Sequence, residues 1–182
     1  AYLNTLKAQN ERQFRAVEKS LRMIIPSITG IDVGVNDVGE VDLRLMEGDM
    51  PVPARVVSEG TLRILGLLAL VGVKEPPALI GIEEPENGVH PRRIRLIADL
   101  LQNLTRGQKS QLMVTTHSPI LTDALTDESL YACRKAEGQT VIENFSSRLG
   151  PLFRESEVSR ALEDEEEGLL LSERILRGDL DA

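Results

Sequence analysis

The sequence predicts an α/β fold, and three observations carry that expectation. Two short apolar runs, 78–82 (ALIGI) and 111–116 (QLMVTT), have strand length and lack the span of a helix. Between them lies a segment with Ile94, Ile97, Leu101 and Leu104 on one helical face. Ahead of both runs an almost wholly apolar stretch from Leu62 to about Val73 reads as a buried helix. Strands alternating with helices imply a parallel sheet with right-handed crossovers.

The elements follow in order. Residues 1–25 predict one helix, with Leu3, Leu6, Phe14, Val17, Leu21, Ile24 and Ile25 near a 3.6 period and Pro26 as its stop. Residues 31–37 and 40–46 alternate apolar and polar around Val38-Gly39, a β-hairpin pattern. Residues 49–57 are too proline-broken for a central strand. Ser58-Glu59-Gly60-Thr61 opens the apolar helix, which Pro76-Pro77 stops. The ALIGI strand reads as covered on both faces. Pro91 starts the next helix and Gly107 closes it. After the second apolar strand, Ser118 is a natural N-cap with Pro119 at the first helical position. Residues 129–133 and 139–145 predict a last strand pair around Gly138, and the tail reads as helical and acidic.

Composition narrows the function classes. The chain has 182 residues, 41% hydrophobic and 27% charged, which suits one globular domain with a sizeable core. Aromatics are 3% with no Trp, so the core is aliphatic. The formal net charge of -8 argues against a surface that grips nucleic acid all over, though not against a local basic patch. Residues 155–167 alone hold seven acids against one base, leaving about -2 for the rest; such a block reads as a solvated helix end or tail. A single cysteine, Cys133, excludes an internal disulfide framework and a multi-Cys zinc site. No apolar run reaches the roughly 18 residues of a membrane span, and no secretory signal pattern opens the sequence, so a cytoplasmic location without membrane contact is expected.

Three features fall at the ends of elements, where ligands of open α/β sheets bind. Glu83-Glu84 follows the first apolar strand directly. Adjacent carboxylates leaving a strand diverge, so one can hold Mg²⁺, directly or through water, while the other orients or deprotonates an attacking water; the pair also reads as a solvated turn. His117 ends the second strand, where it can reach a phosphate or merely cap the strand. Ser58-Glu59-Gly60-Thr61 at a helix N-terminus forms an anion site or an ordinary Ser/Gly cap.

Their order is more specific than any one of them. Ser58-Glu59-Gly60-Thr61-Leu62-Arg63 looks like a signature motif, Ala78 to Pro85 like a Walker B strand with Glu83 in place of the usual Asp, Glu86-Asn87-Gly88-Val89-His90-Pro91 like a D-loop, and Thr115-Thr116-His117-Ser118-Pro119 like a switch-histidine loop. Over about residues 20–135 the chain resembles the C-terminal part of an ABC-type ATPase head, in the branch that holds RecF, the SMC proteins and the OLD-like AAA-family ATPases. The resemblance implies a P-loop NTPase-like fold, with residues 1–30 as an arm helix, 31–150 as the core and 151–182 as an acidic helical tail. It also implies roles: Glu83 for the Mg²⁺ water shell, Glu84 for polarising the attacking water, and His117 for the γ-phosphate. Ser58, Glu59, Gly60 and Arg63 would serve the ATP bound by a second subunit, and Asn87 and His90 the dimer seam. His90 reads equally as a turn residue before Pro91. The activity implied is ATP hydrolysis by heads that dimerise around two nucleotides, in DNA maintenance or phage defence.

The phosphate-cradling loop G-x-x-x-x-G-K-[ST] is absent. Gly34 and Gly39 share its glycine spacing, but Glu40 and Val41 follow, inside the predicted hairpin. The sequence therefore reads as the C-terminal portion of a longer protein, with the Walker A part upstream or on a second chain, and as a poor ATP binder on its own. Two clusters, Arg92, Arg93 and Arg95, and Arg134-Lys135, are candidates for DNA phosphates or plain solvated charges. Two further readings stay open: a metal-dependent phosphodiester hydrolase using Glu83, Glu84, Glu86, His90 and His117, and a non-catalytic dimerisation module.

Overall fold

A computed structural model of the protein describes residues 1–71, 73, 75–106, 110–136 and 138–144. The expected helix stop at Gly107, the last residue of the 139–145 strand and the acidic 151–182 tail lie outside the described residues. The chain divides into two compact units, one spanning Ala1–Thr115 and the other beginning at Thr116.

The first unit opens with two helices rather than one, α1 (Tyr2–Gln9) and α2 (Glu11–Ile24). Asn10 breaks them apart with φ -149° and ψ 73°. Its side-chain oxygen accepts from the Gln13 backbone N–H and its amide donates to Gln13 Oε1, so it caps α2 and competes with a continuous helix. The buried face of α2 is Phe14, Val17 and Leu21, as the periodicity predicts. This helical pair packs on β1 (Gly30–Val35). Glu18 Oε2 accepts from Ile31 N–H at 2.9 Å, and Lys7 Nζ donates to the Val33 carbonyl at 2.8 Å.

β1 pairs antiparallel with β2 (Val41–Glu47) from Gly30↔Met46 to Val35↔Val41. The turn is the predicted one, with Gly39 at φ 82° and the Asn36 side chain accepting from Val38 and Glu40 N–H. Beyond β2 lies β3 (Met50–Pro53), the outer strand of a three-stranded sheet in the order β1-β2-β3. A proline-bearing strand is tolerated at an edge.

A short 3₁₀ turn (Ala54–Val56) leads into α3 (Glu59–Val71), which buries Gly60, Ile64, Leu65, Leu67, Leu68 and Ala69. The helix is not buried all round: Gly66 and Val71 are exposed. β4 (Leu79–Glu83) and β5 (Gln111–Thr115) then pair in parallel, from Leu79↔Gln111 to Glu83↔Thr115. The connection between them is the predicted helix, α4 (Ile94–Thr105), with Ile94, Ile97, Leu101 and Leu104 all buried, packed against α3 and β5.

Coverage of β4 on both faces is not what the structure shows. Ile80 is buried and Ile82 half-buried, but Leu79 and Met113 are 57% and 65% exposed, and Gly81 and Glu83 are exposed as well. Among the described residues, α4 serves one face of this two-stranded sheet, and the other is open. Because both faces of ALIGI are apolar or lack a side chain, the sequence cannot report which face has a partner.

In the second unit, α5 (Pro119–Thr122) begins as predicted, with Ser118 Oγ accepting from Leu121 N–H and Pro119 at the first position. A hairpin of β6 (Tyr131–Ala136) and β7 (Gln139–Asn144) follows, turning at Gly138 with φ 83°. Among the described residues, no helix is long and apolar enough to cross a membrane.

Candidate functional site

The first turn of α3 and the segment after β4 meet. Ser58 caps α3: its carbonyl accepts from Leu62 N–H, its Oγ accepts from Thr61 N–H at 3.3 Å and lies 2.8 Å from Thr61 Oγ1. Ser58 and Glu59 are exposed, so this helix N-terminus is open to a ligand.

Gly60 is buried for a reason the sequence does not disclose. A Cβ placed there would lie 2.1 Å from the Gly88 carbonyl oxygen and 2.7 Å from its carbon. The two backbones touch with no room for any side chain, so glycine at position 60 is a packing requirement, whatever its part in binding an anion. Gly88 meets the same approach from the other side with φ 73°, a left-handed conformation that glycine adopts without strain. Its place after Asn87 marks a turn in the sequence, but not the helix that the turn touches.

Glu83 and Glu84 part company at the end of β4. Glu83 is the last strand residue, exposed, on the open face with Leu79 and Gly81. Glu84 extends the pairing by one bond, its N–H donating to the Thr115 carbonyl at 2.9 Å. It then turns out of the sheet at φ 43° as the one non-glycine residue among those described with positive φ. That conformation costs about 1 kcal/mol or more for an L-residue. The turn closes through Asn87 N–H to the Glu84 carbonyl and Val89 N–H to the Glu86 carbonyl. Asn87 also donates its side-chain amide to Glu84 Oε2 at 3.4 Å, while Pro85 and Val89 anchor the loop by burial.

Arg63 ties these parts together. One guanidinium nitrogen donates to the carbonyls of Glu83 (3.2 Å) and Glu84 (2.9 Å). The others donate to Glu59 Oε1 at 2.7 and 3.1 Å, an ion pair one turn along α3. The Arg63 side chain is 29% exposed, and its donors address its own chain.

The structure thus brings Ser58, Glu59, Gly60, Arg63, Glu83, Glu84 and Asn87 into one patch. His90, two residues past Gly88, is exposed and caps the 3₁₀ turn Pro91–Arg93, with Nδ1 accepting from Arg92 N–H at 3.2 Å. His117 follows Thr115, the residue in register with Glu83, by two positions; it is exposed and belongs to the second unit. Among the described residues, no group of three or more His, Cys, Asp and Glu gathers as a metal site. Within the first unit, Glu83, Glu84, Glu86 and His90 therefore do not gather as the metal cluster of a phosphodiester hydrolase. A carboxylate such as Glu83, exposed at a strand end, is still the hard oxygen donor that Mg²⁺ takes while keeping most of its waters.

The sequence profile of the family described as "AAA domain, putative AbiEii toxin, Type IV TA system" matches residues 5–123, more than half of the chain. The chain belongs to this family. The match contains the whole patch around α3 and β4. An OLD nuclease from Thermus scotoductus is 27% identical over 113 residues, covering 60% of this chain and 21% of the nuclease. The chain thus spans about a fifth of that curated relative's length.

The fold is that of SMC ATPase heads. An SMC ATPase studied for ATP-driven dimerization and DNA-stimulated activation superposes with a TM-score of 0.58 at 12% identity, over 85% of this chain and 99% of that one. An SMC head bound to the C-terminal winged-helix domain of ScpA gives 0.58 at 13%, over 76% and 44%. The SMC head domain with coiled coil and joint from Pyrococcus yayanosii gives 0.58 at 11%, over 74% and 26%. The chain is accordingly a member of this AAA-domain family with the fold of SMC ATPase heads.

Proposed function

We propose that this chain is the signature- and Walker B-bearing part of a head that binds and hydrolyses ATP as a dimer closed around two nucleotides. The observation that carries the reading is the parallel β4–β5 pair, with the acid couple at its carboxyl end bolted to the open N-terminus of α3. Ligands of α/β sheets bind at that end.

Within one head, Glu84 polarises the attacking water and Glu83 holds a Mg²⁺ water shell. When bound, that ion neutralises charge on the β- and γ-phosphate oxygens. His117, two residues past the partner of Glu83, contacts the γ-phosphate. The start of α3, with exposed Ser58 and Glu59 and buried Gly60, faces the nucleotide of the second head, where the N–H groups of a helix N-terminus favour an anion. Asn87 and His90 lie along the seam between heads.

The open face of β4–β5 supports a further part of the reading. Parallel sheets are ordinarily covered on both sides, and exposed Leu79 and Met113 fit a cover supplied by the Walker A-bearing portion of the same protein or by a second chain. The OLD nuclease likeness and the family's toxin-system description support a role in DNA maintenance or defence, and a cytoplasmic location belongs to the same reading. The exposed Arg92 and Arg95 beside half-buried Arg93 are the first candidates for DNA phosphates. At the second cluster, Arg134 already lies 3.7 Å from Glu143.

Glu84→Gln in the full-length protein tests the core of this. Turnover should fall about 10²- to 10⁴-fold, the usual weight of general-base chemistry, while ATP still assembles a dimer that now persists on size exclusion. Unchanged turnover overturns the reading, and so does the absence of any ATP-dependent dimer. ATP-independent phosphodiester cleavage would favour the hydrolase alternative, and indifference of every readout the structural module.

A further inference from the structure

We propose that Arg63 is a positioning residue for Glu84: by donating to the Glu83 and Glu84 carbonyls it holds the acid in its left-handed turn and so sets the aim of the carboxylate. The inference rests on the hydrolytic reading of Glu84 and goes beyond it, since it gives Arg63 a task inside its own head rather than at the nucleotide of a second one.

Three features converge. Glu84 sits at φ 43°, where an L-residue persists only if its surroundings impose it. The Arg63 donor reaches the carbonyl of that very residue at 2.9 Å and the preceding carbonyl at 3.2 Å, so both peptide planes that define the bend are gripped from one nitrogen. Glu59 then takes the remaining donors at 2.7 and 3.1 Å, which fixes the guanidinium plane. A lysine cannot reproduce this: its ammonium is a point donor without the rigid fork. The Gly60–Gly88 contact clamps the far end of the same loop. The segment that carries Glu84 is therefore held to α3 at both ends, and Arg63 is the end that touches the acid's own backbone. Removing it frees the Glu84 peptide to relax towards ordinary φ, which swings the carboxylate away from the water it must orient.

The test uses the full-length protein with Arg63→Ala and Arg63→Lys, alone and combined with Glu84→Gln. A displaced general base lowers kcat roughly ten- to a hundredfold and leaves the KM for ATP within about twofold. Arg63→Lys should recover only part of the loss. In the Glu84→Gln background, Arg63→Ala should leave the ATP-held dimer intact, because Arg63 then has no acid left to aim. A rise in KM with kcat retained overturns the inference, as does loss of the held dimer in the double variant; either result places Arg63 at the nucleotide or in the fold. Wild-type kcat in both Arg63 variants overturns it equally. Should Arg63→Ala fail to fold, Arg63→Lys carries the same comparisons. Failure of the hydrolytic reading looks different: Glu84→Gln by itself would then turn over ATP normally.

Discussion

Gly60→Ala is the sharpest structural perturbation available, and its size can be worked out. The added methyl would sit 2.1 Å from the Gly88 oxygen, 2.7 Å from its carbon and 3.0 Å from the Val89 Cα. All three are backbone atoms, so no rotamer change relieves the overlap. Either α3 or the 84–88 turn must shift by about 1.4 Å to restore an ordinary contact of roughly 3.5 Å. Overpacking of this kind costs typically 1–3 kcal/mol, and an unyielding backbone places it at the top of that range. Against this stands the helix propensity gained on replacing glycine by alanine, about 1 kcal/mol at most. The net expectation is a destabilisation of about 2 kcal/mol. Gly66→Ala is the matched comparison: it lies in the same helix, is exposed, and a Cβ there meets nothing within 4 Å. It should stabilise by about 0.5–1 kcal/mol. Thermal unfolding of the two variants side by side gives the answer. Gly60→Ala should melt several degrees below wild type and Gly66→Ala slightly above it. Equal behaviour of the two would refute the close approach of positions 60 and 88 and the two-ended clamp built on it.

Other expectations follow from single interactions. Asn10→Ala removes the cap of α2 and should cost about 1 kcal/mol, read as a lower denaturant midpoint. Glu18→Ala leaves the Ile31 N–H without its acceptor and should cost roughly 1–3 kcal/mol; a variant as stable as wild type would show that solvent replaces the bond. Replacing Arg92, Arg93 and Arg95 together by Ala should weaken DNA binding at low salt and flatten the slope of its salt dependence by about 0.9 for each phosphate no longer neutralised. Unchanged binding would remove that surface as a DNA site. Met113→Asp in the full-length protein should impair ATP binding if the open sheet face receives the phosphate-cradling portion. Wild-type affinity would place that portion elsewhere.

Much of the fold was legible because burial imposes a period. The faces of α2 and α4 were readable from Phe14, Val17 and Leu21, and from Ile94, Ile97, Leu101 and Leu104, since a one-sided helix must space its apolar residues by its own pitch. Turns at Gly39 and Gly138 were readable because positive φ selects glycine. The start of α5 was readable because Ser118 and Pro119 fit cap and first position. The break at Asn10 was not: its flanks keep helical periodicity, and only a local side-chain bond decides against continuity. Nor was β3, since prolines permit an edge strand without requiring one. In the candidate site, order and spacing singled out Ser58, Glu83 and Glu84, but the interactions within the patch were hidden. Arg63 reaches across 21 positions to the Glu84 carbonyl, and Gly60 meets Gly88 across the same loop. Neither approach leaves a periodic trace.

The three-stranded sheet β1-β2-β3 carries a consequence at its two margins. Pro51 and Pro53 alternate with Met50 and Val52, so the rim of β3 offers no amide hydrogen at the two proline positions. On the opposite rim, the Ile31 amide is spent on Glu18 and the Val33 carbonyl on Lys7. An incoming strand would find few hydrogens to accept on one side and occupied groups on the other. The sheet is thereby protected from templating edge-to-edge aggregation, at no expense to the surface where α3 and β4 meet.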